Sequence, residues 1–99
     1  MNCVECALEI SDIEILDLDK LEVKHHVEGH EVVEVFDSDP RIFFDESGDI
    51  PGEDVYTALG RTLEGRYLAI FFIYKKNHVS LVLSARDMTA KEKKRYGKK

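Results

Sequence analysis

Arg66-Tyr67-Leu68-Ala69-Ile70-Phe71-Phe72-Ile73-Tyr74 is apolar at odd and even positions alike from Tyr67 onward. Successive side chains of a strand point to opposite faces, so this stretch predicts a central strand that is covered on both sides. Upstream, residues 55–62 read as a second strand, with Gly60 marking a possible bulge. Leu63-Glu64-Gly65 joins the two as a turn, and Gly65 is available for positive φ. Downstream of the Lys75-Lys76-Asn77 turn, Val79, Leu81 and Leu83 alternate with Ser80, Val82 and Ser84 in a third strand. Three strands in hairpin order form an antiparallel meander.

Working outward from the meander, Thr89 with Glu92 three residues later forms a capping box and predicts a final helix from Ala90. On the N-terminal side, Ile13, Ile15 and Leu18 alternate loosely with acids, as in a short first strand. Residues 20–27 read as a short helix broken by Gly29. Residues 30–36 carry Val32, Val33, Val35 and Phe36 on one broad face, with Glu31 and Glu34 outside it. Helical spacing and the stop signal Asp37-Ser38-Asp39-Pro40 predict a second helix, despite the branched side chains. Residues 41–45 read as another short strand and 46–54 as a loop with Gly48, Pro51 and Gly52. The expected fold is α+β: a short N-terminal strand, two helices, an antiparallel sheet of three to four strands and a C-terminal helix, with the helices on one face. Residues 1–11 read as a tail and 12–99 as one domain.

The 99 residues suit a single domain with a small core, and 43% hydrophobic with 34% charged residues argues against disorder. The longest apolar run, Tyr67 to Tyr74, is too short for a membrane helix, which needs about 20 residues. No basic stretch precedes an apolar one near Met1, so no signal peptide is expected. A cytoplasmic location follows as an expectation, and with it reduced thiols for Cys3 and Cys6. Their Cys-x-x-Cys spacing lacks the second pair of a structural zinc site, and no metal or cofactor is assigned. The acidic cluster formed by Asp37, Asp39, Asp45, Glu46, Asp49, Glu53 and Asp54 lacks calcium-loop spacing and reads as a solvated loop.

Charge is unevenly distributed. The net charge is −6. Residues 86–99 carry seven basic side chains against Asp87 and Glu92, a net of +5, which leaves −11 on the other 85 residues. A basic end on an acidic body suits a local anion-binding or partner-binding face, but charge alone favours a solvated terminal helix that needs its lysines for solubility. Lys91, Lys94, Arg95 and Lys98 share one helical face and are candidates for contact with RNA or a partner protein.

Four strings in order resemble the BrnT toxin family: Lys24-His25-His26-Val27 followed by Glu31-Val32-Val33-Glu34-Val35-Phe36; Ala58-Leu59-Gly60-Arg61-Thr62; Gly65-Arg66-Tyr67-Leu68; and Ser84-Ala85-Arg86-Asp87-Met88-Thr89 with Lys91-Glu92-Lys93-Lys94-Arg95-Tyr96. The resemblance runs from near Asp19 to Tyr96. It implies a RelE-like ribonuclease fold, a ribbon-helix-helix (BrnA-like) antitoxin partner, assembly into oligomers with that antitoxin, and growth arrest through RNA cleavage that inhibits translation. His26 departs from the family pattern, standing where a glycine is usual, and a positive φ there would be strained for histidine. Glu28 stands where the family has a hydroxyl residue to cap the next helix.

Metal-free RNA cleavage needs a proton acceptor for the 2′-hydroxyl, a proton donor for the leaving 5′-oxygen, and cations at the phosphate. Histidine suits the proton roles. Arginine suits phosphate because its guanidinium is planar, always charged and bidentate. The candidates are His25 as acid or base, Arg86 as the main phosphate clamp, Arg61 and Tyr96 beside it, and Lys24. Each also has a purely architectural reading: an ion pair for Arg86, a cap or core position for His25, a cross-strand pair for Arg61, and packing for Tyr96. The alternative function is an inactive relative that binds an antitoxin and no longer cuts RNA.

Overall fold

The computed structural model describes residues 10–46, 54–75 and 77–97. Its elements are β1 (Asp12–Ile15), α1 (Leu18–His25), α2 (Gly29–Asp37), β2 (Arg41–Glu46), β3 (Val55–Arg61), β4 (Tyr67–Tyr74), β5 (Val79–Asp87) and α3 (Ala90–Gly97). The expectations for Cys3, Cys6, Asp49, Glu53 and Lys98 lie outside the described residues.

The architecture is α+β, as expected, on a five-stranded sheet of order β1-β5-β4-β3-β2. Strands β2 to β5 are antiparallel neighbours. The sheet is nevertheless mixed, because β1 runs parallel to β5, with Ile13 opposite Ser80 and Ile15 opposite Val82. A parallel pair needs a long crossover, so nothing local in the weak alternation of residues 12–15 could reveal its partner. Leu18, placed in the first strand by the sequence, opens α1, because the Asp17 carboxylate caps that helix by accepting from Lys20 N at 3.0 Å.

The helices occupy both faces of the sheet rather than one. Leu21 from α1 and Val32 and Val35 from α2 join Ile42, Ala58, Leu68, Ile70, Phe72, Val82 and Ala85 in the larger core. On the opposite face Phe43, Leu59, Ala69 and Met88 form a smaller core, over which Tyr67, Phe71 and Tyr96 of α3 pack. Neighbours in sequence divide between the two, as Ile42 and Phe43 do, which explains why β4 is apolar on both sides. Burying side chains of this size contributes about 1.5–3 kcal/mol each.

Gly60 has a different role from the bulge suggested by its sequence. It pairs in register with Leu68. A Cβ there would lie 2.8 Å from Val35 Cγ1 and 3.2 Å from Ser38 Oγ, so the glycine lets α2 approach β3. One register shift lies in β5, where Phe71 faces Ser84 and Phe72 faces Val82, leaving Leu83 as the extra residue, and another in β2 between Phe44 and Glu46. Beyond Leu83, β5 continues to Asp87, so Arg86 is a strand residue.

Candidate functional site

The two ends of α1 and α2 that face each other are fixed by a single arginine. His26 ends α1 in the left-handed region at φ 54°, the conformation for which a glycine would be free of strain. Arg66 follows the Gly65 turn (φ 91°). Its Nη1 donates to His26 O at 2.7 Å and to Glu31 Oε1 at 3.0 Å, its Nη2 to His25 O at 3.4 Å, and its Nε to Asp87 Oδ1 at 2.8 Å. Glu31 is buried, and the same Oε1 accepts from Glu28 N at 3.0 Å. Glu31 at the third position of α2 thus bonds back to the N-cap backbone, as in a capping box with Glu28. The Asp87 hydrogen bond raises the Arg66 pKa against the opposing effect of burial. The same bond holds the Asp87 carboxyl below its ordinary range, with smaller contributions from Lys93 and His26. Asp87 thus lies in the field of α1's end and of α3 together.

On the α3 face, three aromatic rings each carry an arginine. The Arg86 guanidinium carbon lies 5.0 Å from the Phe71 centroid, that of Arg61 5.0 Å from Tyr67, and that of Arg95 3.7 Å from Phe43. Two rings carry a second cation: Lys93 Nζ lies 5.7 Å from the Tyr67 centroid, and Arg41 5.8 Å from Phe43. Tyr96 meets Tyr67 edge to face at 5.9 Å. Arg41 also donates through Nη1 to Arg95 O and Tyr96 O at 3.4 and 3.3 Å, and so satisfies carbonyls in the last turn of α3.

Arg86 is engaged. Its Nη1 and Nη2 donate to Glu92 Oε1 and Oε2 at 2.7 and 2.9 Å, and Nη1 also to Asp87 O at 3.1 Å. Glu92 Oε1 further accepts from Thr89 N at 2.9 Å, while Thr89 Oγ1 accepts from Glu92 N at 3.2 Å. The expected capping box is therefore present and is fastened to β5 through Arg86. Burial pushes the Glu92 carboxyl upward, but the Arg86 and Thr89 hydrogen bonds outweigh it and hold the carboxyl below its ordinary range. Glu92 correspondingly raises the pKa of Arg86.

Of the residues singled out from sequence, Arg61, Arg86, Arg95 and Tyr96 come together on the α3 face. Lys24 is exposed and His25 half-buried at the end of α1, which packs on the other face. The two groups approach through Arg66 and Asp87. Lys91 and Lys94 are exposed. Sequence reasoning assigned no role to Arg41, Arg66 or Lys93. Alternation in β2 puts Arg41 with Phe43, and a three-residue helical step puts Lys93 with Tyr96, so both signals were available once the sheet's faces were known. Among the described residues, no three His, Cys, Asp or Glu side chains converge as metal ligands, and no helix is long and apolar enough to cross a membrane.

The model of one protein family, described as "Ribonuclease toxin, BrnT, of type II toxin-antitoxin system", matches residues 19–92. The chain belongs to the BrnT family. The match runs from the first turn of α1 to Glu92, short of Lys93, Arg95 and Tyr96, and the resemblance to the family is thereby borne out. BrnT proteins are ribonuclease toxins, and a type II system implies an antitoxin partner. No curated protein matches the chain.

Proposed function

We propose that this BrnT protein cuts RNA without a metal ion, inhibiting translation and growth until a ribbon-helix-helix antitoxin binds it. The observation that carries the reading is the gathering of Arg61, Arg86 and Lys93 around Tyr67, Phe71 and Tyr96, linked through Asp87 and Arg66 to the end of α1, in a chain of a ribonuclease family. The reaction is attack of the ribose 2′-oxygen on the adjacent phosphorus. The O2′–P bond forms, the P–O5′ bond breaks, and the products are a 2′,3′-cyclic phosphate and a 5′-hydroxyl. A base takes the 2′-hydroxyl proton and an acid gives one to the 5′-oxygen. His25 fills one of these roles, positioned by the hold of Arg66 on its carbonyl. Tyr96, packed on Tyr67, orients substrate, and Lys24 adds positive charge at the edge.

Arg86 clamps the phosphate and stabilises charge on the pentacoordinate phosphorus. In the free protein the Glu92 carboxylate takes both terminal nitrogens, in the two-point geometry that a phosphate would use. Substrate reaches Arg86 by exchanging with Glu92. The same ion pair favours a second reading, in which the chain retains the fold and antitoxin binding with Arg86 permanently structural.

End-labelled RNA incubated in excess EDTA with wild type and Arg86→Ala separates the two. The ribonuclease reading expects cleavage that falls at least tenfold in the variant, about 1.4 kcal/mol of transition-state stabilisation. Absence of cleavage by the wild type, with and without ribosomes, supports the binding module.

A further inference from the structure

We infer that the α3 face of the sheet carries a track for the backbone of single-stranded RNA, with Arg61 and Lys93 beside Tyr67 as one cationic position and Arg95 on Phe43 as a second farther along the strand. The inference rests on the RNA reading above but concerns binding rather than cleavage, and it commits Arg95 to RNA rather than to a protein partner.

Arg61 and Lys93 come from different elements, the end of β3 and the middle of α3, and converge on one half-buried ring. Among the described residues neither forms an ion pair, nor does Arg95. That distinguishes them from Arg66 and Arg86, whose positive charge is matched by Asp87, Glu31 and Glu92. Asp87 senses Lys93, but its short contact is to Arg66. The Tyr67 ring attracts each cation by about 0.5–1 kcal/mol at an exposed site. An anion beside both offsets their like charge.

The second position repeats the first. Arg95 covers the buried Phe43 ring, and Arg41 stands over the same ring while tying down α3's last turn. Arg41 faces Leu59, two residues before Arg61 on the neighbouring strand. Phe43 pairs with Thr57 and Tyr67 with Arg61, so the two rings stand two strands and four residues apart, roughly 16 Å between backbones, a span of more than one phosphate step. Arg61, Lys93 and Arg95, exposed along one face, are the kind of cationic row that follows a single-stranded backbone. The acidic remainder of the chain, −11 outside residues 86–99, repels RNA elsewhere and confines it to this face.

The probe is a fluorescent ten-nucleotide RNA carrying 2′-O-methyl groups throughout, which binds but cannot be cut by the 2′-oxygen route. Affinity is measured across salt concentrations for wild type, Arg61→Gln, Lys93→Gln, Arg95→Gln and Lys20→Gln, a charge control on exposed α1. Each of the first three is expected to weaken binding three- to tenfold at low salt and to flatten the slope of log K against log salt by about 0.7. Lys93→Arg restores both, and Lys20→Gln changes neither by as much. All the altered side chains are exposed, so thermal melting should match wild type.

The track is overturned if the variants keep the wild-type slope, if Lys20→Gln is equally damaging, if wild type fails to bind at low salt, or if polyglutamate of equal charge competes as well as RNA. The last result would assign the cations to an acidic protein partner. Unmodified RNA separates the two ideas. Cutting by wild type with unchanged binding in the variants removes the track and keeps the ribonuclease. Slope changes without any cutting keep the track and remove the ribonuclease.

Discussion

Arg86 and Glu92 meet in a two-point ion pair at 2.7 and 2.9 Å, six residues apart in sequence and on different elements. The pair joins the last part of β5 to the first turn of α3. The carboxylate that closes it is also the one that caps the helix.

Glu92→Gln should therefore separate architecture from catalysis. The amide loses one charge-assisted bond to Arg86 and weakens the cap, so stability should fall by about 1–3 kcal/mol in urea titration. Because Arg86 is released for phosphate, affinity for the 2′-O-methyl RNA should rise about threefold or more on the proposed exchange. A fall in affinity would mean that Glu92 orients Arg86 rather than competing for it.

Arg66→Ala should be more damaging to the fold. It removes four hydrogen-bond acceptors' partner at once and leaves Glu31, 7% exposed, as an uncompensated buried carboxylate. A loss of about 3–5 kcal/mol is expected. The double variant Arg66→Ala with Glu31→Gln should recover part of it, and failure to recover any would argue that the carbonyl contacts to the end of α1 dominate.

Acid should destabilise the protein in a defined window. Glu92 and Asp87 both have carboxyls held below their ordinary range, so the unfolded state binds their protons more tightly. Their contribution is full above the unfolded value of about 4 and is lost as pH falls through the lower folded values. The Asp87 side chain is 67% exposed against 20% for Glu92, so solvent screening leaves Glu92 as the larger contributor. Urea midpoints for Glu92→Gln should decline less between pH 5 and 2, on the order of the window just given, than those of wild type.

Gly60→Ala tests the packing of α2 on β3. The added methyl must displace Val35, and about 1–3 kcal/mol of destabilisation is expected. Gly60→Ala combined with Val35→Ala should be less unstable than the two changes added together.

Much of this was legible in the residues. The double-sided apolar character of residues 67–74, the Gly65 turn, the Thr89–Glu92 box and the helix stop at Asp37 each rest on local chemistry, and each stands in the structure. What the sequence hid is non-local. The partner of β1 lies more than 60 residues away, and the Leu83 irregularity that keeps Arg86 inside β5 depends on register. Which face α3 covers depends on Phe43, Leu59 and Ala69 converging from three strands. Arg86 was singled out from its string, but its partner Glu92 was read only as a cap. Arg66 was quoted without a role because its four acceptors come from three separate parts of the chain. His26 shows the opposite case, since a departure from a family glycine pointed directly to the left-handed backbone at that position.

The central claim is cleavage by the RNA's own 2′-hydroxyl, and the ends of the product test it most directly. Antitoxin-free protein would be incubated with end-labelled RNA in excess EDTA, and the fragments analysed by mass spectrometry. The expected fragments carry 2′,3′-cyclic phosphate and 5′-hydroxyl ends, with at least tenfold less product from Arg86→Ala and from His25→Ala, each about 1.4 kcal/mol of lost transition-state stabilisation. Fragments bearing 5′-phosphate and 3′-hydroxyl ends, or cleavage that disappears in EDTA, would contradict it.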